Sequence, residues 1–279
     1  MDTLPALGFG DDVERVAVVH VDDLGVSHAA NVGGFAALDS GPATCGSVMV
    51  PCPWFAEAAA TASADPSLDI GVPLSLTSEY AHYRWGPVLG AEAVPSLVDD
   101  DGCFPRTFDA VEAADPDEAD RELRAQIDRA LAAGIDVTHI DTHMGTMFHR
   151  HLFDVYLQLA RDYRVAVFLA RRPTSERVAA LEADGWPLFD GFCADSLGFE
   201  PGEGEAHNRA RIERLGAGLN YLICHAAQGG EELSAITDDA HARDFERTFY
   251  GGPSGAVALA DAGVATVGMR PLRDLLRDG

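Results

Sequence analysis

Four polar side chains follow apolar runs of the sequence, at positions where buried strands would end. Asp22 and Asp23 follow the run RVAVVHV, His143 follows the run at 136–140, and His225 closes the run LNYLICH. Carboxylate and imidazole groups bind zinc in catalytic sites that leave one position open for water. A second carboxylate can take a proton from that water, and an imidazole can protonate a leaving amine. The set therefore predicts hydrolysis assisted by a divalent metal ion.

The elements that would carry these residues alternate along the chain. Short apolar runs predict strands, and the segments between them have helical patterns, such as DPDEADRELRAQIDRALAAG with Asp115 as its N-cap and a terminal Gly. Repeated strand–helix units indicate a parallel sheet, and about eight of them favour a TIM-like (β/α)7–8 barrel of the α/β class. A doubly wound open sheet is the alternative. The predicted strands are 15–21, 44–50, 68–74, 136–140, 164–170, 187–193, 219–225 and 264–269.

Size and composition restrict the class of protein. A chain of 279 residues suits one barrel, so residues 1–279 are expected to form a single domain. The formal charge is −25 and every one of the 20 basic residues is Arg, a balance that argues against binding to nucleic acid. No apolar run is long enough for a membrane span. The acidic segment MDTLPALGFGDDVE has no basic region typical of a secretory signal, which predicts a cytoplasmic location.

Two further patterns exclude other functions. The first predicted strand runs into VHVDDLGVSH, which lacks the Gly-rich phosphate-binding fingerprint of dinucleotide-dependent dehydrogenases. The five cysteines form no C-x-x-C pair, so we expect buried reduced thiols rather than disulfides or a thiolate zinc site.

Four motifs resemble those of the YdjC-like (ChbG) carbohydrate deacetylases. They are VDDLG, GVPLSLTSEY, HIDTHMG and CHAAQG, and the resemblance extends over nearly the whole chain. It implies a TIM-like barrel and metal-dependent removal of an acetyl group from an N-acetylated sugar, oligosaccharide or glycolipid. By the same resemblance Asp23 and His143 would bind the metal, zinc with magnesium as the alternative. Asp22 would be the general base and His225 the general acid.

The third residue of the motif GVPLSLTSEY departs from the family pattern. Where the family pattern G-x-H-x-x-L-T has a metal-binding His, this chain has Pro73, which offers no ligand atom. Three consequences stay open: His28, His82 or Glu79 completes the site, the site binds metal weakly, or the protein is a catalytically impaired relative that binds a glycan or a partner.

Substrate recognition is predicted from one aromatic cluster and one late Arg. Tyr83, Arg84 and Trp85 lie in a single loop, where aromatic faces could stack on sugar rings, although packing over the barrel mouth is an equal alternative. Arg243 resembles a family Arg near the pocket, and a solvated helix face is its alternative. The apolar stretch AVPSLV could support a homodimer.

Overall fold

Eight parallel strands form the centre of the molecule. The structure is a computed structural model that describes residues 3–171 and 175–278. The strand order is β5-β4-β3-β2-β1-β7-β6, and β8 pairs with the first half of β1. All eight lie within or overlap the predicted strands. Their bounds are β1 Arg15–Leu24, β2 Cys45–Val48, β3 Ile70–Leu74, β4 Val137–Thr142, β5 Ala166–Val167, β6 Gly191–Cys193, β7 Gly218–Cys224 and β8 Ala265–Thr266.

A single bridge links the two ends of this strand order. Ala170 and Phe189 pair in parallel, and the NH of Phe189 donates to the carbonyl of Leu169 over 3.0 Å. The NH of Arg171 donates back to the carbonyl of Phe189 over 2.8 Å. Residues after β5 thereby contact residues before β6, so the strands enclose an interior. The predicted TIM-like α/β barrel is confirmed, and the open doubly wound sheet is excluded.

Helices cover the outside of the strands. They are α1 Thr3–Ala6, α2 His28–Ser40, α3 Phe55–Ala64, α4 Pro116–Ala132, α5 Phe153–Tyr163, α6 Glu176–Ala183, α7 Gly204–Glu213, α8 Glu231–Ile236, α9 Ala240–Tyr250, α10 Pro253–Asp261 and α11 Met269–Asp278. The segment TSERVAALEADG, residues 174–185, also has the pattern of a helix in the sequence and corresponds to α6, but its first residue lies outside the described residues. No helix of the described chain combines the length and apolarity that a membrane crossing requires.

Helix α4 shows how sequence sets an element and how that element orders a loop. The side chain of Asp115 caps the helix by accepting from the backbone NH groups of Asp117 and Glu118, as predicted. The buried carboxylate of Glu122 accepts from the NH groups of Val88 and Leu89. These bonds fix part of the long 77–115 loop, which also contains the short 3-10 helices Pro95–Leu97 and Asp109–Ala113.

The AVPSLV stretch lies in this loop and does not present the apolar edge that a dimer would need. Val94 and Leu97 are 0% and 2% exposed and pack into the main hydrophobic core, and Val98 is half-buried. The homodimer prediction therefore loses its stated basis in this stretch.

Candidate functional site

A cavity of about 450 Å³ opens where the strands end. Its wall combines apolar side chains such as Phe168 and Phe192 with a compact polar group. The position agrees with the rule that parallel barrels carry their sites at the carboxyl ends of the strands. Its ionisable residues are Asp22, Asp23, Glu79, His143, His225 and Arg243.

The end of β1 brings two successive carboxylates to this cavity. In a regular strand, successive side chains point to opposite faces, so Asp22 and Asp23 would be separated by the sheet. Asp23 instead has φ +68°, in the left-handed region that non-glycine residues seldom adopt. The turned backbone allows both side chains to line the cavity.

Asp22 and His225 face each other within this group. Oδ2 of Asp22 lies 3.7 Å from Nε2 of His225, and Nδ1 of His225 lies 2.7 Å from Oγ of Ser196. The backbone NH of His225 donates to the buried carboxylate of Glu246 over 2.7 Å. Burial raises the pKa of Asp22 to about 7, and burial lowers the pKa of His225. A carboxylate and an imidazole are thus held opposite each other. The pKa of the carboxyl group, Asp22, lies close to neutral pH.

Arg243 binds the second carboxylate directly. Its Nη1 donates to Oδ2 of Asp23 over 2.7 Å, and its Nε donates to Asp239 over 2.8 Å. Burial would raise the pKa of Asp23, but Arg243 and the nearby imidazoles hold it well below its ordinary value. The solvated helix face considered for Arg243 is excluded, because the side chain is 8% exposed.

His143 lies between two carboxylates. Its Nε2 is 3.0 Å from Oε2 of Glu79, and its Nδ1 is 3.7 Å from Oδ1 of Asp23. Burial would lower the pKa of His143, but the charges of Glu79 and Asp23 raise it to about 9. All four predicted polar residues, Asp22, Asp23, His143 and His225, are therefore brought together.

The predicted metal ligands fit an ion only in part. The 3.7 Å between Asp23 and Nδ1 of His143 suits two ligands of one ion, but they are two groups where a catalytic zinc site has three. Glu79 meets the other ring nitrogen of His143, which points away, so in this arrangement it does not complete the same site.

Pro73 faces the barrel interior, as the family resemblance requires. It pairs in register with Asp141 of β4, and a Cβ built on Gly71 would point at the ring of His139. Side chains two residues apart share a face, so the side chain at 73 also points inward. Of the other replacement ligands, His28 binds Glu57 on the surface and His82 is exposed. Neither lines the cavity.

The aromatic cluster takes the packing alternative rather than substrate contact. None of Tyr83, Arg84 and Trp85 is among the residues that line the cavity. The hydroxyl of Tyr83 donates to the carbonyl of Val26, and Trp85 is 3% exposed with its ring 6.1 Å from that of His143. Nη2 of Arg84 donates to Asp99 over 2.7 Å, within the loop itself. These contacts order the loop, and the ring of Trp85 packs near that of His143.

One cluster of possible metal ligands was not predicted from the sequence. Beneath the cavity His20, Cys45 and His139 are fully buried, and one nitrogen or sulfur atom of each lies within 4.8 Å of the others. Such a His-Cys-His group could hold a metal ion. The expectation that no thiolate takes part in a metal site rested on the absence of C-x-x-C spacing, and here the three residues come from β1, β2 and β4. Inward-facing positions on these strands were the available signal.

The site and the fold define an α/β barrel with a carboxylate–imidazole centre at its mouth. Residues 16–260 match the family described as YdjC-like protein, so the chain belongs to the YdjC-like family. This confirms the resemblance carried by the four motifs.

Curated relatives extend over most of the chain. It is 43% identical over 250 residues to a protein of Thermus thermophilus named carbohydrate deacetylase, covering 85% of this chain and 86% of the relative. Identity to a Geobacillus stearothermophilus protein of the same name is 30% over 259 residues, covering 92% and 97%. Among solved structures, a candidate cellobiose-phosphate cleavage protein of Enterococcus faecalis V583 superimposes with a TM-score of 0.79 at 24% identity, covering 93% of this chain and 99% of that chain. This likeness supports the fold.

Proposed function

We propose that this protein is a carbohydrate deacetylase, which hydrolyses the acetyl amide of an N-acetylated sugar or oligosaccharide. The relatives named carbohydrate deacetylase support the reaction. The observation that carries it in this chain is the opposed pair of Asp22 and His225, whose Oδ2 and Nε2 atoms are 3.7 Å apart in the cavity. Residues 1–279 would act as one catalytic domain. The cytoplasmic location and the homodimer stay predictions.

In the proposed reaction Asp22 is the general base. It accepts a proton from a water molecule as the water oxygen bonds to the acetyl carbonyl carbon. When the carbon–nitrogen bond breaks, the protonated imidazole of His225 donates its proton to the leaving amine. Acetate and the amino sugar, as its ammonium ion, are released, and the proton held by Asp22 passes to His225 and restores the imidazolium. Ser196 would hold the imidazole by its other nitrogen. Arg243 would keep Asp23 ionised and oriented next to the reacting pair.

A divalent ion would be held by Asp23 and His143. When bound there it would polarise the acetyl carbonyl and acidify the attacking water. We expect zinc, with magnesium as the alternative. Because Pro73 supplies no third ligand, we expect binding at this position to be weak, by roughly 10–100-fold or more relative to a complete ligand set.

Acetate release is the test. Purified protein is incubated with N-acetylglucosamine oligomers and with zinc, cobalt or magnesium, beside Asp22→Asn and the exposed control Asp11→Asn. We expect acetate from the unchanged protein and from Asp11→Asn, and a loss of at least 100-fold in Asp22→Asn, since general base catalysis contributes about 10²–10⁴-fold. Equal acetate from all three proteins, or none with any metal, would contradict the proposal. Binding of sugars without turnover would instead favour the catalytically impaired relative.

A further inference from the structure

The barrel interior beneath the cavity contains a group of ionisable side chains that the proposed reaction does not use. His20, Cys45 and His139 are each 0% exposed, and Nε2 of His20 lies 2.9 Å from Nε2 of His139. Cys45 pairs in register with His20 on the adjacent strand, so both side chains project from the same face of the sheet. The cluster is therefore built by regular strand geometry and not by a loop.

A carboxylate completes the group. Oδ2 of Asp141 lies 3.6 Å from Nε2 of His20 and 3.8 Å from Nε2 of His139. This oxygen is buried and has no hydrogen-bond partner among the described residues. An unpaired buried carboxylate oxygen is strongly unfavourable, and a bound cation would satisfy it.

The three separations fit the edges of one coordination sphere. Atoms bound roughly 2.0–2.2 Å from a tetrahedral ion lie about 3.3–3.6 Å apart. The edges to Asp141, 3.6 and 3.8 Å, are close to this range, and the two imidazole nitrogens, 2.9 Å apart, would separate by a few tenths of an ångström on binding. The sulfur of Cys45 lies within 4.8 Å of one nitrogen of each imidazole, and it would move inward to take a fourth position.

The outer hydrogen bonds of the imidazoles support the same reading. Nδ1 of His20 lies 2.6 Å from Asp22, and Nδ1 of His139 lies 2.8 Å from the hydroxyl of Thr138. Metal-bound histidines characteristically use their second nitrogen in this way, with a carboxylate or another oxygen as the partner. The two Nε2 atoms lie within hydrogen-bonding distance of each other, a contact that a bound ion would replace, and both face Oδ2 of Asp141.

We propose that Nε2 of His20, Nε2 of His139, Sγ of Cys45 and Oδ2 of Asp141 bind one divalent ion of the zinc class inside the barrel. A thiolate and a carboxylate balance the two positive charges, so the buried site carries no net charge. Four protein ligands make it a closed structural site. It is separate from Asp23 and His143 at the cavity, and it does not depend on the deacetylase activity.

The bound ion would also connect to the reaction site through one contact. Asp22 accepts from His20, so an ion on the opposite nitrogen of His20 would fix the ring that orients Asp22. His20 is in this sense a positioning residue for Asp22.

Cobalt provides a test that separates the two sites, since only the buried one contains sulfur. The full-length protein is expressed in cobalt-supplemented medium, so that the ion enters during folding, and its absorption spectrum and metal content are measured. We expect one tightly held cobalt per chain with a thiolate-to-cobalt charge-transfer band. The band should disappear in Cys45→Ser and persist in Cys52→Ser, a second buried cysteine outside the cluster, and in His143→Gln.

Zinc X-ray absorption on the unmodified protein keeps the proposal testable if Cys45→Ser does not fold. We expect one sulfur neighbour at about 2.3 Å and nitrogen or oxygen neighbours at about 2.0–2.2 Å. Only nitrogen and oxygen neighbours, a charge-transfer band that survives in Cys45→Ser, or protein that folds without metal in zinc- and cobalt-supplemented media would overturn the proposal. Acetate release is measured separately, so the loss of one conclusion leaves the other standing.

Discussion

Arg243 and Asp23 form a buried ion pair in the cavity, with Nη1 of Arg243 2.7 Å from Oδ2 of Asp23 and the two side chains 8% and 6% exposed. The guanidinium occupies one oxygen of the predicted metal ligand and places a positive charge next to it. Removing one partner of a buried ion pair leaves an uncompensated charge, which is strongly destabilising.

The variant Arg243→Gln should therefore lose about 3 kcal/mol of unfolding free energy. Added zinc should restore part of this loss, because the ion can replace the missing positive charge beside Asp23. Urea unfolding with and without zinc measures both effects. Arg209→Gln, which removes surface ion pairs with Glu205 and Asp261, is the control and should change stability far less. No regain with zinc would show that Asp23 does not contact the ion.

Restoring an imidazole at position 73 should create a third ligand. Pro73→His is expected to raise the affinity of the protein for a divalent ion by at least about tenfold, since the side chain at 73 points into the barrel next to Asp141. Equilibrium dialysis followed by elemental analysis measures the gain. Pro95→His changes an exposed proline and should bind no additional ion. Equal affinity in the two variants would contradict the inward-facing ligand position.

Ser196 should affect catalysis through the orientation of His225. Its Oγ lies 2.7 Å from Nδ1 of His225, so Ser196→Ala leaves the imidazole free to turn. We expect kcat to fall by roughly tenfold with little change in KM, because the hydroxyl touches the acid and not the substrate. Steady-state acetate release separates the two constants. A change confined to KM would instead place Ser196 among the substrate contacts.

Gly71 should resist substitution because the ring of His139 occupies the space of its missing side chain. A Cβ at this position would lie 2.5 Å from ring atoms of His139. Gly71→Ala should therefore destabilise the protein by about 1–3 kcal/mol, as overpacking does, and should displace His139 from His20. Gly198→Ala has open space around its Cβ and is the matched control. Thermal unfolding compares the two, and equal stability would argue against the tight packing of His139.

The contact between Arg84 and Asp99 predicts a pH-dependent contribution to stability. Burial opposes ionisation of Asp99, but hydrogen bonds from Arg84, Cys103 and Asp101 lower its pKa. A lowered folded-state pKa stabilises the protein above the unfolded value of about 3.9 and loses that effect as pH falls through the folded value. Asp99→Asn should cost about 1 kcal/mol at pH 7 and progressively less towards pH 3 in urea unfolding. Asp100→Asn is the exposed control. A penalty that is the same at both pH values would rule out ionisation as its source.

The strands could be predicted well from the sequence because a buried parallel strand is a short, nearly continuous apolar run. The run LNYLICH became β7 Gly218–Cys224, and the carboxyl ends of such strands necessarily meet at one end of the barrel. Asp22, His143 and His225 could therefore be placed together without knowing any distance.

What could not be predicted depends on side-chain direction and register. Whether Trp85 covers the core or faces a ligand depends on the path of a 39-residue loop segment, which carries no periodic pattern. The contact of His20 with Cys45 depends on how β1 aligns with β2, and the sequence contains no residue spacing that specifies this register. The contact of Glu79 with His143 could not be predicted either, because Glu79 lies in that same loop.

The left-handed backbone of Asp23 limits which amino acids this position can accept. Only glycine, and less readily asparagine and aspartate, adopts such a conformation without a penalty of about 1–2 kcal/mol. An alanine there would change the path of the backbone and also remove a charge. An experiment could not separate the displacement of Asp22 from the loss of the Asp23 carboxylate. The informative replacement is Asp23→Asn, which keeps the shape of the strand end and changes only its charge. The backbone conformation therefore restricts both natural and engineered substitutions at Asp23, the residue whose carboxylate contributes a negative charge to the cavity.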